Sequence, residues 1–112
     1  HKIPKMKKVN YSAVFFPDGS HMTWYYGDSS IKPSGVNSGD KARVKVIGKY
    51  SDDQVACWVV QWKDYKNQPS GKVLHITSKV QNGGKPYQSG QRASQNGYKK
   101  IDKPFYIDGI WN

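Results

Sequence analysis

The chain contains no glutamate, one leucine (Leu74), one cysteine (Cys57) and four alanines. Glu, Leu and Ala are the residues helices favour most, so their scarcity argues against a helical protein. A single cysteine excludes an intramolecular disulfide, and with it a disulfide scaffold. Cys57 sits in the apolar run Val55-Ala56-Cys57-Trp58-Val59-Val60 and reads as a small buried hydrophobe. No apolar run approaches the roughly 18 residues a membrane-spanning helix needs. Metal-ligand spacings are missing as well: the three histidines, His1, His21 and His75, are far apart, and no Cys-x-x-Cys or His-x-His occurs. No Gly-rich phosphate loop opens a helix. No metal or cofactor is therefore expected.

What is present suits pleated sheet and tight turns. The 112 residues amount to one domain, and the hydrophobic fraction is 36%. Val, Ile, Tyr, Trp and Thr supply strand character, and 11 glycines supply turns. Residues 1–8, with four lysines and a proline, read as a basic arm or linker ahead of a domain over 9–112.

Six strands are predicted. Val9 to Phe16 alternates, with Val9, Tyr11, Ala13 and Phe15 on one face. Pro17-Asp18-Gly19-Ser20 is a turn signal, and His21 to Tyr26 returns with Met22, Trp24 and Tyr26 on one face. Residues 27–40 form a polar loop. Lys41 to Ile47 alternates Ala42, Val44 and Val46 against Lys41, Arg43 and Lys45, which predicts a half-buried strand with a basic outer face. Val55 to Trp62 is apolar on both faces and is predicted to be the central strand. Lys72 to Val80 places Leu74, Ile76 and Val80 inward and His75, Thr77 and Lys79 outward. Residues 81–100 read as a long polar loop, and Phe105 to Trp111 as the closing strand. The expected fold is all-β: a small SH3-like barrel or compact β-sandwich of about six antiparallel strands, with long polar loops and no substantial helix.

The formal charge is +10, from 18 Lys plus Arg against 8 Asp. Such a field draws polyanions: nucleic acid, teichoic acid, acidic glycans or anionic lipid. Only Arg43 and Arg92 are arginines, so the attraction is diffuse rather than suited to bidentate reading. Fifteen aromatics, 4 Trp, 8 Tyr and 3 Phe, exceed what so small a core can hide. Trp24, Tyr25, Tyr26, Tyr50, Trp62, Tyr65, Tyr87 and Tyr98 are the candidate stacking residues for a sugar ring or an unstacked base. Lys41, Arg43 and Lys45 are the candidate electrostatic contacts.

Catalytic groups are few. Asp18, Asp28, Asp40, Asp52 and Asp53 read as turn residues rather than as a glycosidase pair. A metal-free RNase would need His21, His75, Arg43 and Lys45 to converge.

Ser38-Gly39-Asp40-Lys41-Ala42-Arg43-Val44-Lys45-Val46-Ile47-Gly48 resembles the opening of SH3-like small barrels, including the bacterial SH3-type wall-binding modules of Gram-positive lysins. That resemblance implies a non-catalytic binding domain with an aromatic-lined groove. The expected function is binding of a bacterial cell-wall polymer, peptidoglycan or an associated glycan. The expected setting is extracellular or wall-associated, as a targeting module of a larger multidomain secreted or phage lytic enzyme. The alternatives are a nucleic-acid-binding small barrel and, third, a small basic RNase or toxin domain.

Overall fold

The computed structural model describes residues 9–112; the basic arm at residues 1–8 lies outside them. The chain folds as β1 (Tyr11–Phe15), β2 (His21–Tyr26), β3 (Lys41–Ser51), β4 (Val55–Gln61), β5 (His75–Val80), α1 (Pro86–Asn96) and β6 (Lys99–Trp111). All pairings are antiparallel, and the strands close into a barrel in the order β1-β2-β5-β4-β3-β6. The barrel alternative is the one realised, and closure leaves the sheet no free edge.

The turn after β1 works as its sequence suggests. Asp18 accepts from the Ser20 amide at 2.9 Å, and Gly19 takes φ 90°, beyond easy reach of other residues. In β3, Ala42, Val44 and Val46 point into the barrel and Lys41, Arg43 and Lys45 point out. The inner core joins them to Val14, Met22, Trp24, Val60, Trp62, Leu74, Ile76 and Trp111. Each large side chain of this set stabilises the fold by roughly 1.5–3 kcal/mol through its burial.

The strand β1 departs from simple alternation. A register shift between Ser12 and Ala13 interrupts the ladder with β2, and residues from Ala13 through Phe16 are all buried. The C-terminal Asn112 mends the gap: its Oδ1 accepts from the Ala13 amide at 2.9 Å and its Nδ2 donates to the Tyr11 carbonyl at 2.7 Å.

The polar loop expected over residues 81–100 is instead an eleven-residue helix followed by the start of β6. Pro86 occupies the first turn, and the Gln88 side chain accepts from the Lys85 amide at 2.9 Å, satisfying a free backbone donor. The buried stripe of α1 is Ser89, Gly90 and Ala93, small residues that let the helix lie close on the outside of β4 and β5. This explains why β4 is apolar on both faces. Val60 faces the barrel interior, whereas Cys57 and Val59 form a second cluster with Ala93 under α1. On β5 one inward assignment changes and one outward residue proves to be covered. Val80 runs past the core and is 41% exposed, and His75, outward as expected, is covered by α1 and buried.

Candidate functional site

The structure distributes the aromatic residues over several surfaces, not one groove. Trp24 and Trp62 are core residues, only 7% and 4% exposed. They pack edge-to-face on Trp111, at 6.5 and 5.4 Å between centroids. Tyr65 closes this cluster from outside, stacked nearly parallel on Trp62 at 5.6 Å and edge-on to Trp24 at 5.1 Å. The Trp111 Nε1 is buried there without a hydrogen-bond acceptor among the described residues.

Tyr25 and Tyr26 end β2, where Tyr26 meets Tyr11 at 5.6 Å. Tyr87 is exposed at the start of α1. Tyr50 and Tyr98 come together in a cleft between the end of β3 and the C-terminus of α1, which Lys49 and Lys99 also line. The Tyr98 ring lies against Gly48, where any Cβ would collide with it. Tyr50 is tied down by a 2.6 Å bond from its hydroxyl to Asp52. Asp52 is the hub of that corner: it also accepts from the Gln54 and Val55 amides, both at 2.8 Å, and from Arg92 at 3.0 Å. These donors, the Tyr50 hydroxyl first, hold its carboxyl well below the usual carboxylate range. Asp18, Asp28, Asp40 and Asp52 all accept backbone amides in turns, the role read from their neighbours.

The three electrostatic candidates do fall on one surface. Across the wall β6-β3-β4, Lys45 stands directly opposite Tyr106 on one side and Gln61 on the other. With Arg43 and Lys63 these side chains line an open depression of about 320 Å³. Tyr106 is 57% exposed, the most open of the large apolar side chains among the described residues. Arg43 sits opposite Asp108 and bonds it at 3.0 Å through Nε, with its guanidinium carbon 5.8 Å from the Tyr106 ring. The Arg43 hydrogen bond lowers the Asp108 carboxyl pKa below its ordinary value. Lys63 places its ammonium 4.8 Å from the Trp62 ring. Tyr106, Gln61 and Lys63 were not among the residues singled out from the sequence. Alternation puts Tyr106 outward on its strand, but which strand lies beside it depends on the β3–β6 register.

A second, smaller aromatic surface lies at the far end of the same strands. Trp58 meets Phe105 edge-on at 6.1 Å, and Lys49 lies 5.7 Å from the Trp58 ring.

The groups considered for catalysis are kept apart. His21 lies on β2 and Arg43 and Lys45 on β3; two strands separate these walls in either direction round the barrel. His75 is buried under α1, its Nδ1 2.8 Å from the Val73 carbonyl, and burial lowers its pKa. Burial pushes the Cys57 thiol up to about 11, with its Sγ 3.7 Å from the Ser89 carbonyl. Among the described residues, no three His, Cys or Asp side chains gather as metal ligands. No described helix is long and apolar enough to cross a membrane. No family model, curated protein or solved structure matches the chain.

Proposed function

We propose that this domain is a non-catalytic binding module for a bacterial cell-wall polymer, peptidoglycan or an associated glycan, working outside the cell as the targeting part of a larger lytic enzyme. The observation that carries the reading is the row Tyr106–Lys45–Gln61 on one wall of a closed barrel. An exposed phenol ring offers a flat face for the C–H side of a sugar or polyol unit. Gln61, whose Nε2 already donates to the Lys63 carbonyl at 2.8 Å, offers its side-chain carbonyl and second amide hydrogen to hydroxyls, and the lysines attract a negatively charged surface. Regular strands hold the row, so little ordering cost falls on binding. The segment resembling SH3-type wall-binding modules, residues 38–48, leads into and includes most of β3, the strand that carries Lys41, Arg43 and Lys45 of this wall.

The nucleic-acid reading has less support on this face. Its single arginine is already engaged with Asp108, which leaves it less available for bidentate contact with a phosphate or a base edge. The RNase reading loses His75 as a solvent-facing base. Cosedimentation with purified Gram-positive walls, beside filter binding to single-stranded RNA, tests the proposal across a salt series. Retention on walls, with RNA binding absent or much weaker, is the expected result. Binding to RNA alone, with a steep salt dependence, overturns it.

A further inference from the structure

Resting on the wall-binding reading, we infer that the face β6-β3-β4 takes the anionic, phosphodiester-linked polymer of the wall, of teichoic-acid type, with Lys45 and Lys63 as its phosphate contacts and Tyr106 as the platform for the polyol or sugar between them.

The charge inventory of this wall is the first argument. Around the depression its outward side chains include Lys41, Arg43, Lys45 and Lys63 and the acid Asp108; the other acid of β6, Asp102, lies nearer the start of that strand, and Asp64 follows Lys63 in its turn. Asp108 is taken by Arg43. Lys41 acts electrostatically on Asp108 as well, whereas Lys45 and Lys63 have no carboxylate within ion-pairing distance among the described residues, and residues 1–8 contain no acid to supply one. Several like charges on one sheet face oppose folding slightly, and a polyanion relieves that repulsion. A neutral glycan strand calls instead for several amide and carboxylate partners to its hydroxyls, and the depression offers one amide, Gln61.

Lys63 is the second argument. It occupies the first loop position of a two-residue hairpin in which Trp62 and Tyr65 exchange backbone bonds at 3.1 and 2.9 Å. Its φ is 51°, a left-handed conformation that glycine or asparagine adopts more easily. A long cationic side chain is thus kept at a strained position, and its ammonium lies over Trp62 at the rim of the depression. The Trp62 ring restricts the ammonium without neutralising it, so its charge stays available to a ligand.

The test uses the whole chain and four probes: intact Gram-positive walls, the same walls stripped of phosphodiester polymer, poly(glycerol phosphate), and a polyuronate of similar length. The variants are Lys45→Gln and Lys63→Gly, the latter suited to its backbone. Circular dichroism and thermal melting confirm that both fold. The parent is expected to bind intact walls and poly(glycerol phosphate). Stripping the walls should remove most of the binding. Two phosphate contacts on a flexible polyanion give a log–log salt slope near −1.4, hence about 25-fold weaker binding for a tenfold rise in salt. Each variant is expected to reduce that slope by about 0.7. Undiminished binding to stripped walls overturns this inference and leaves the wall reading standing. So does polyuronate binding as tightly as poly(glycerol phosphate), since charge alone then suffices. A Lys45→Gln/Lys63→Gly double variant that binds poly(glycerol phosphate) like the parent also overturns it. Binding to no wall preparation and no phosphodiester probe overturns both.

Discussion

Gly90 on α1 lies directly over the imidazole of His75 on β5, so close that a methyl group there would overlap the ring. The contact sets how near the helix approaches the barrel. It seals Cys57, Val59 and His75 beneath α1 in the same step.

Gly90→Ala is expected to destabilise the protein by about 1–3 kcal/mol, because the added carbon overpacks the helix–barrel interface. The sign is informative: in an open helix the same change stabilises by roughly 0.5–1 kcal/mol. Urea denaturation measures it. The native Cys57 thiol should also react faster with a thiol reagent in the variant, since the helix covers it less well.

His75 makes stability depend on pH. Burial depresses its folded-state pKa below the unfolded value near 6.5, so at acid pH the unfolded chain binds a proton that the folded one resists. The contribution is therefore fully present above about pH 6.5 and is lost as pH falls through that value, at up to about 1.4 kcal/mol per unit. Thermal melts at pH 5, 6, 7 and 8 should show a drop between 7 and 5. His75→Gln should flatten it.

Tyr65 closes the Trp24–Trp62–Trp111 cluster while remaining 41% exposed itself. Tyr65→Ala is expected to cost about 2 kcal/mol, from lost burial and two ring contacts. Water reaching Trp62 should shift tryptophan emission to the red. An unchanged spectrum and midpoint would mean the ring only decorates the surface.

Asp108→Asn removes the acid beside the candidate binding depression and releases Arg43. Both partners are well exposed, so the melting temperature should barely move. Affinity for poly(glycerol phosphate) should rise about two- to fivefold, with a steeper salt dependence. Titration at two ionic strengths checks both effects.

Alternation carried much of the fold. It placed Ala42, Val44 and Val46 inside and Lys41, Arg43 and Lys45 outside, because a strand's side chains have a period of two. It located β2 over His21–Tyr26 to the residue. The helix was not legible, because Ser89, Gly90 and Ala93 carry no hydrophobic stripe; their value lies in being small. One clue did exist: a strand apolar on both faces, as at Cys57 and Val59 beside Trp58 and Val60, needs a cover on its outer side. The site was half legible. Its cations follow from pattern, but Tyr106, Gln61 and Lys63 join them through strand register, which composition does not encode. Alternation leaves Trp24 and Trp62 as candidate stacking residues, because an isolated strand does not say which of its faces the barrel will enclose; the structure buries both.

The most direct test of the account is cosedimentation of the parent chain and a Tyr106→Ala/Lys45→Gln variant with purified Gram-positive walls, both with unchanged melting temperature. The account predicts that the parent pellets with the walls and the variant stays largely in solution. Equal pelleting of the two, or a parent that stays in solution, contradicts it.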